Sequence, residues 1–312
     1  MDVILLFPGQ GSQKPGMGAD LVAEYAVARQ AFDSVDHALG VDISRICFSG
    51  SEDELTSTQN AQPALLAHGA AVWAALRDRL APLVRAAAGH SLGEFTAYNA
   101  AGAIQLEEAA RLVRRRGELM LESGMLRPGA MAAIIGLGEA GVEDVCKQAS
   151  RAESVVVPAN YNSPDQLVIS GEVAAVERAM AAAKQAGAKR AIRLKVSGAF
   201  HSPLMEEASD GLRAALDSTG IGESAFPIYT NVSSRPATGA RDASRLLLEQ
   251  LSAPVRWTSL IRNLARDYPG SLYVEMGPGS VLANLLKRII PGTETATCGT
   301  VAEVELMLAR VQ

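Results

Sequence analysis

The run Ala87-Ala88-Gly89-His90-Ser91-Leu92-Gly93-Glu94 places a serine two residues from a glycine on each side. It follows a mainly apolar stretch, residues 83–88, and leads into a segment with helical character. Strand, sharp turn and helix with serine at the apex is the context of a nucleophile elbow. A turn that tight leaves no room for Cβ atoms on its flanks, which accounts for Gly89 and Gly93. The following helix would aim its free N–H groups at the serine. An ordinary strand-to-helix turn with an N-capping serine has the same spelling, so the rest of the chain must decide.

Working toward the N-terminus, residues 3–7 are a short apolar run ending at Pro8-Gly9, the pattern of a strand buried on both faces. Gly9-Gln10-Gly11-Ser12-Gln13 follows, then Pro15-Gly16-Met17-Gly18. This loop lacks the G-K-[ST] ending of a phosphate-binding loop and the G-x-G-x-x-G order of a dinucleotide fold. A backbone brought close to a reacting group, with Gln10 presenting an amide, is the other reading. Residues 21–39 and 62–80 are expected to be helical.

Working toward the C-terminus, residues 92–101 and 106–122 read as helices. The second carries Ala109, Leu112, Val113 and Met120 at helical spacing, with Arg116 on the same stripe. A buried arginine is costly unless an anion meets it. The anion would be a protein carboxylate, or a ligand carboxylate gripped by the planar guanidinium. Arg111, Arg114 and Arg115 fall mostly on other faces.

Past Pro128-Gly129 the order becomes strand, helix, strand, strand, helix, strand, a ferredoxin-like pattern. Residues 129–197 are therefore expected to form a small subdomain inserted in a larger one built from 1–128 and 198–312. The larger part alternates strands and helices, with a helix at 203–218, strands at 227–230, 271–275 and 295–298, and helices at 242–251, 255–267 and 281–289. The fold class is α/β: an α/β-hydrolase-like core with a mainly parallel sheet, plus the ferredoxin-like insertion.

The chain has 312 residues, 48% hydrophobic and 20% charged, with a net charge of -5. That is a globular composition, and the charge speaks against nucleic acid as a partner. No apolar run is long enough to span a membrane. Cys47, Cys146 and Cys298 lie far apart without C-x-x-C spacing, which points to a reducing cytoplasm and to no metal site.

A serine needs a base. His37 and His68 lie in helical segments without other signals, and His90 should leave the turn in another direction. His201 sits in a loop, Ser197-Gly198-Ala199-Phe200-His201-Ser202-Pro203, at the junction after the small subdomain, and it follows the serine in chain order. No acid presents itself: Asp144 and Asp165 read as surface residues of the insertion. A backbone carbonyl can orient an imidazole instead.

Taken together, Gly9 to Gln13, Gly89 to Glu94, Arg116-Gly117, Asn160 to Pro164, Gly198 to Ser202 and Gln250 resemble, in order and separation over nearly the whole chain, the malonyl-CoA:acyl carrier protein transacylase family. The resemblance implies an acyltransferase that moves malonyl from malonyl-CoA to holo-acyl carrier protein, with CoA as product and no metal or other cofactor. It implies Ser91 as the acylated nucleophile and His201 as its base. The backbone N–H groups of Gln10 and Leu92 would form the oxyanion hole, and Arg116 would hold the malonyl carboxylate. The Gln250 main-chain carbonyl would orient His201. Asn160 and Phe200 would line the substrate site, with Phe200 crowding an α-methyl branch. Gly198 departs from the histidine more usual before Ala-Phe-His. Carrier proteins of this kind are acidic, and Arg114, Arg115, Lys189 and Arg190 are the candidates to receive one.

Overall fold

The computed structural model describes residues 1–311. Its nine strands are β1 (Val3–Phe7), β2 (Val84–Gly89), β3 (Gly129–Ile135), β4 (Val156–Ser163), β5 (Gln166–Glu172), β6 (Arg190–Arg193), β7 (Ile228–Tyr229), β8 (Leu272–Met276) and β9 (Thr295–Cys298). Five of them form one sheet in the order β7-β2-β1-β8-β9, with every pairing parallel. The other four form an antiparallel sheet in the order β4-β5-β3-β6. The expected α/β class, with a mainly parallel sheet and a ferredoxin-like companion, is what the chain adopts.

β1 sits in the middle because it is apolar on both faces. Val3, Leu5 and Phe7 pack into the larger core with the long helix Thr58–Leu80. Ile4 and Leu6 face the opposite cluster, against Trp257, Leu260, Ile261 and Leu286. A central parallel strand covered on both sides reads as a continuous apolar run for this reason. The antiparallel sheet also has two duties. Ala132, Ile134, Leu167 and Ile169 cover its own two helices, Glu139–Ala149 and Val173–Gln185. Met131, Ala133, Ala159 and Val168 join the larger core.

Several elements differ from the sequence expectation. The helix expected over 21–39 is two helices, Ala19–Glu24 and Ala26–Leu39, interrupted at Tyr25, whose backbone is extended (φ -112°, ψ 115°). The segment 203–218 opens as a tight 3-10 turn, Pro203–Ala208, before the α-helix Ser209–Asp217. Pro203 at its start supplies no N–H, and the Ser202 hydroxyl accepts from the Leu204 N–H. Two short helices, Ile43–Ser49 and Glu52–Thr56, lie between the expected ones. Each is capped by a side chain, Asp42 on the Arg45 N–H and Ser51 on the Glu54 N–H. Those caps were the available signal.

The parallel register aligns Phe7 with Gly89 and Ala88 with Tyr229. The carboxyl ends of β1, β2 and β7 therefore finish side by side. The loops that leave them carry Gln10, Ser91 and Asn231, at the sheet edge where open α/β sheets hold their ligands.

Candidate active site

Ser91 stands between β2 and the helix Leu92–Ala100 with φ 51° and ψ -108°. A non-glycine residue at positive φ is strained and has to be held there by its surroundings. The holding is visible. Asn231 Oδ1 accepts from the Ser91 N–H at 2.6 Å, and Asn231 Nδ2 donates to the Gly89 carbonyl at 2.6 Å. Both glycines are forced by contact: a Cβ on Gly89 would lie 1.8 Å from the Gly93 carbonyl carbon, and one on Gly93 would lie 2.0 Å from the Phe7 oxygen.

His201, also at positive φ (56°), is buried. Its Nε2 lies 2.8 Å from Ser91 Oγ. Its Nδ1 faces two carbonyls, Gln250 O at 2.8 Å and Ala253 O at 3.2 Å. Carbonyls only accept, so Nδ1 carries the proton, and the neutral ring presents an Nε2 lone pair to the serine hydroxyl. Burial, and next the charge of Arg116, push the His201 pKa down to about 3. The imidazole is thus neutral and able to accept. The Asp144 and Asp165 side chains are more than half exposed.

Arg116 lies on the helix Leu106–Leu126 and is 1% exposed. Its helix approaches the helix Thr58–Leu80 closely at Gly117, where a Cβ would sit 2.8 Å from the Thr58 oxygen. Pro63 in the facing helix has no N–H to give, and Arg114 Nη1 donates to the Gln59 oxygen four residues back, at 3.1 Å. Arg116 Nη1 donates to Gln62 Oε1 at 2.8 Å, and Nη2 donates to Gln250 Oε1 at 3.0 Å and to Ser91 Oγ at 3.1 Å. Its guanidinium lies 5.3 Å from the centre of the Phe95 ring. The buried Nε finds no partner. All the acceptors are neutral. Burial lowers its pKa to about 10, and Glu94 acts against that through space. The question left by the sequence, protein carboxylate or ligand carboxylate, therefore has a two-part answer. A protein carboxylate stands behind Arg116, one glutamine away. None touches it.

Glu94 is wholly buried on the elbow helix. Its Oε2 accepts from the Asn231 N–H at 2.9 Å and from Gln250 Nε2 at 2.8 Å, and its Oε1 has no partner. Burial raises its pKa to about 7, against those two hydrogen bonds and the charge of Arg116.

A cavity of about 110 Å³ opens over Ser91 and His201, lined also by Gln10, Leu92, Arg116, Asn160 and Phe200. Sites for drug-sized ligands run to ~300–1,000 Å³, so this one suits a short acyl group. Leu92 is the first residue of its helix, and among the described residues neither its N–H nor that of Gln10 donates to a protein acceptor. Two free backbone donors beside a nucleophile are what a tetrahedral oxyanion requires. His90, Met120, Met131, Leu194 and Val196 complete the lining.

His90 turns away from the serine, as expected, with Nε2 at 2.8 Å from Asn162 Oδ1 and its ring 5.4 Å from that of Trp257. His68 is buried, with Nε2 at 3.1 Å from the Gly299 oxygen. Of the four basic candidates, Arg114 is paired with Glu118, and Arg115 with Glu118 and Glu122. Lys189 and Arg190 are exposed, Arg190 opening the edge strand β6. Among the described residues no cluster of His, Cys, Asp and Glu could hold a metal ion, and no helix is long and apolar enough to cross a membrane.

Sequence reasoning missed Asn231, Gln62, Glu94 and the Gln250 side chain. Asn231 had one signal, a polar residue just past a strand at the carboxyl edge of a parallel sheet. Glu94 had another, a carboxylate in a segment otherwise apolar enough to be buried.

Comparison with known proteins covers the whole architecture. The profile of the acyl transferase domain family matches residues 4–304. The malonyl CoA-acyl carrier protein transacylase of Bacillus subtilis (strain 168) is 40% identical over 307 residues, 98% of this chain and 96% of that protein. The transacylase of the same name from Escherichia coli (strain K12) is 40% identical over 307 residues, 98% of each chain. Among solved structures, the malonyl CoA-acyl carrier protein transacylase of Coxiella burnetii superposes with a TM-score of 0.95 at 38% identity, covering 99% of this chain and 98% of that one. A malonyl-transacylase solved in complex with its type II PKS acyl-carrier protein gives a TM-score of 0.95 at 39% identity, covering 99% and 100%.

Proposed function

This chain belongs to the acyl transferase domain family, among the malonyl CoA-acyl carrier protein transacylases, and from that premise and its site geometry we propose how it works. It moves a malonyl group from malonyl-CoA to the phosphopantetheine thiol of an acyl carrier protein, for fatty-acid or polyketide chain elongation. The observation that carries the assignment of residues is the buried Arg116 guanidinium 3.1 Å from Ser91 Oγ, with neutral partners only.

The reaction is ping-pong through a malonyl-Ser91 ester. His201 Nε2 takes the Ser91 proton as Oγ attacks the thioester carbonyl carbon. The carbonyl electron pair moves to oxygen, where the Gln10 and Leu92 N–H groups receive it; one such donor is worth roughly 3–4 kcal/mol. The tetrahedral intermediate collapses, the C–S bond breaks, and the CoA thiolate leaves with the proton from His201. The carrier thiol then gives its proton to the same nitrogen and attacks the ester, and Ser91 recovers a proton as it departs. Every step balances without a metal or redox cofactor.

Arg116 pairs with the acyl carboxylate, which explains the cost of burying a cation there. That pairing also cancels part of the charge that depresses His201, so a malonyl group raises the basicity of the base it needs. Phe200 and Asn160 shape the acyl end of the cavity. Phe200 disfavours an α-methyl branch by about 10- to 200-fold, the range open to one methyl in a pocket. Lys189 and Arg190 receive the acidic carrier. Three free, buried cysteines fit a reducing cytoplasm.

Incubation with malonyl-CoA and holo-carrier protein tests the assignment. Malonyl-carrier and free CoA should form in equal amounts. Free malonate appearing as fast with water as with the carrier would make the protein a hydrolase.

A further inference from the structure

Gln250, like Ser91 itself, touches both halves of the site, His201 and Arg116. Its main-chain oxygen accepts a hydrogen bond from the His201 Nδ1–H at 2.8 Å. Its side-chain Oε1 accepts from Arg116 Nη2 at 3.0 Å. Its Nε2 donates to the Ser91 oxygen at 3.0 Å and to Glu94 Oε2 at 2.8 Å. The main-chain contact is part of the proposed mechanism; the side-chain contacts are not used by it.

A primary amide has a donor end and an acceptor end, and an ionised carboxylate only accepts. Glu94 and the Ser91 carbonyl together therefore demand the NH2 end of Gln250. That leaves Oε1 facing Arg116. The reversed amide would set oxygen against oxygen twice and NH2 against guanidinium. Glu94 is itself secured from another part of the sheet, by the Asn231 N–H just past β7. Arg116 is then held by two amide oxygens, Gln62 Oε1 on Nη1 and Gln250 Oε1 on Nη2. A guanidinium fixed at both terminal nitrogens presents a defined edge to the serine. Without Gln250 it would keep Gln62 and the Ser91 hydroxyl but only one amide anchor. Once Ser91 Oγ carries an acyl group, the guanidinium could turn about Gln62, weakening directional pairing with a carboxylate.

We propose that the Glu94–Gln250 side-chain pair is a positioning device for acyl-carboxylate recognition: Glu94 anchors the amide, and the amide aims Arg116 at the carboxylate of the acyl group on Ser91. This rests on Arg116 being the carboxylate site proposed above. Neither side chain touches the reacting atoms; both act through Arg116.

The test is a set of variants assayed with malonyl-CoA and acetyl-CoA as alternative donors. Gln250→Met keeps the main-chain carbonyl that orients His201 and removes both ends of the amide. It should lower the malonyl-to-acetyl ratio of kcat/KM by about tenfold, with the malonyl-specific part mainly in KM, as expected for lost binding that the ground and transition states share. Glu94→Gln fills the same space without the charge. It should shift the ratio in the same direction by a smaller factor, and it serves if Gln250→Met does not fold. In an Arg116→Ala background neither substitution should move the ratio further, because residues acting through one group are not additive. Equal losses for both donors, or a ratio that still falls without Arg116, would reduce the pair to a structural role and overturn the proposal. Arg116→Ala alone separates the two readings. If it spares malonyl selectivity, the carboxylate site is wrong; if it abolishes selectivity while Gln250→Met does not, only the positioning proposal fails.

Discussion

Arg116 Nη2 donates to Ser91 Oγ at 3.1 Å, so a full positive charge, buried and opposed by no carboxylate in contact, reaches the nucleophile itself. A protein tolerates such a charge where an anion is due to arrive. Arg116→Ala should therefore lower kcat/KM for malonyl-CoA by about 100-fold or more, the scale of ~3 kcal/mol for one buried charge pair. Acetyl transfer should fall far less, so that selectivity inverts. Steady-state assays with both donors check it.

His201 has its pKa pushed down to about 3, by burial first and by Arg116 next. The sign follows: the neutral, working form persists as pH falls through the ordinary histidine range of ~6.5. At saturating malonyl-CoA, acylation of Ser91 should keep its rate from pH 8 to pH 5.5 in stopped-flow measurements, without the inflection of an ordinary histidine. Glu94, whose pKa burial raises to about 7, acts through Arg116 on binding and so on KM. His201→Ala should slow the same step by about 10²–10⁴-fold, the usual worth of a positioned base.

Asn231 supports the strained elbow through Oδ1 and Nδ2. Asn231→Ala leaves the Ser91 N–H and the Gly89 carbonyl without those partners. The expected cost is about 2–4 kcal/mol in urea unfolding, together with a slower acylation of Ser91 in the fraction that remains folded.

Gly93→Ala should fail outright. Its Cβ would lie 2.0 Å from the Phe7 oxygen and 3.0 Å from the Pro8 oxygen, both backbone atoms. A loss above ~4 kcal/mol, read as insoluble or unfolded protein by circular dichroism, is the expected result.

The elbow could be read from residues 83–101 because its signals are local: an apolar strand, two glycines at fixed offsets and a helix. Arg116 could be read as an anomaly because helical periodicity puts it on an apolar stripe. The break at Tyr25 could not, since the residues on both sides favour helix and no glycine or proline marks the extended residue between them. The supporting shell was equally hidden. Asn231, Gln62 and the Gln250 side chain reach the site from separate elements, and their roles depend on hydrogen bonds across 54 to 159 residues of chain. No periodicity encodes such pairings. Asn231 arrives because the parallel sheet ends β2 and β7 side by side, whereas Gln62 comes from the helix Thr58–Leu80 and Gln250 from the end of the helix Ala240–Glu249.

Intact-mass measurement after incubation with malonyl-CoA, without a carrier protein, tests the central claim most directly. One malonyl group should appear on the wild-type chain, map to Ser91, and leave on addition of holo-carrier protein; Ser91→Ala should take up none. An adduct that survives Ser91→Ala, or a wild-type chain that transfers malonyl without ever carrying it, would contradict the account.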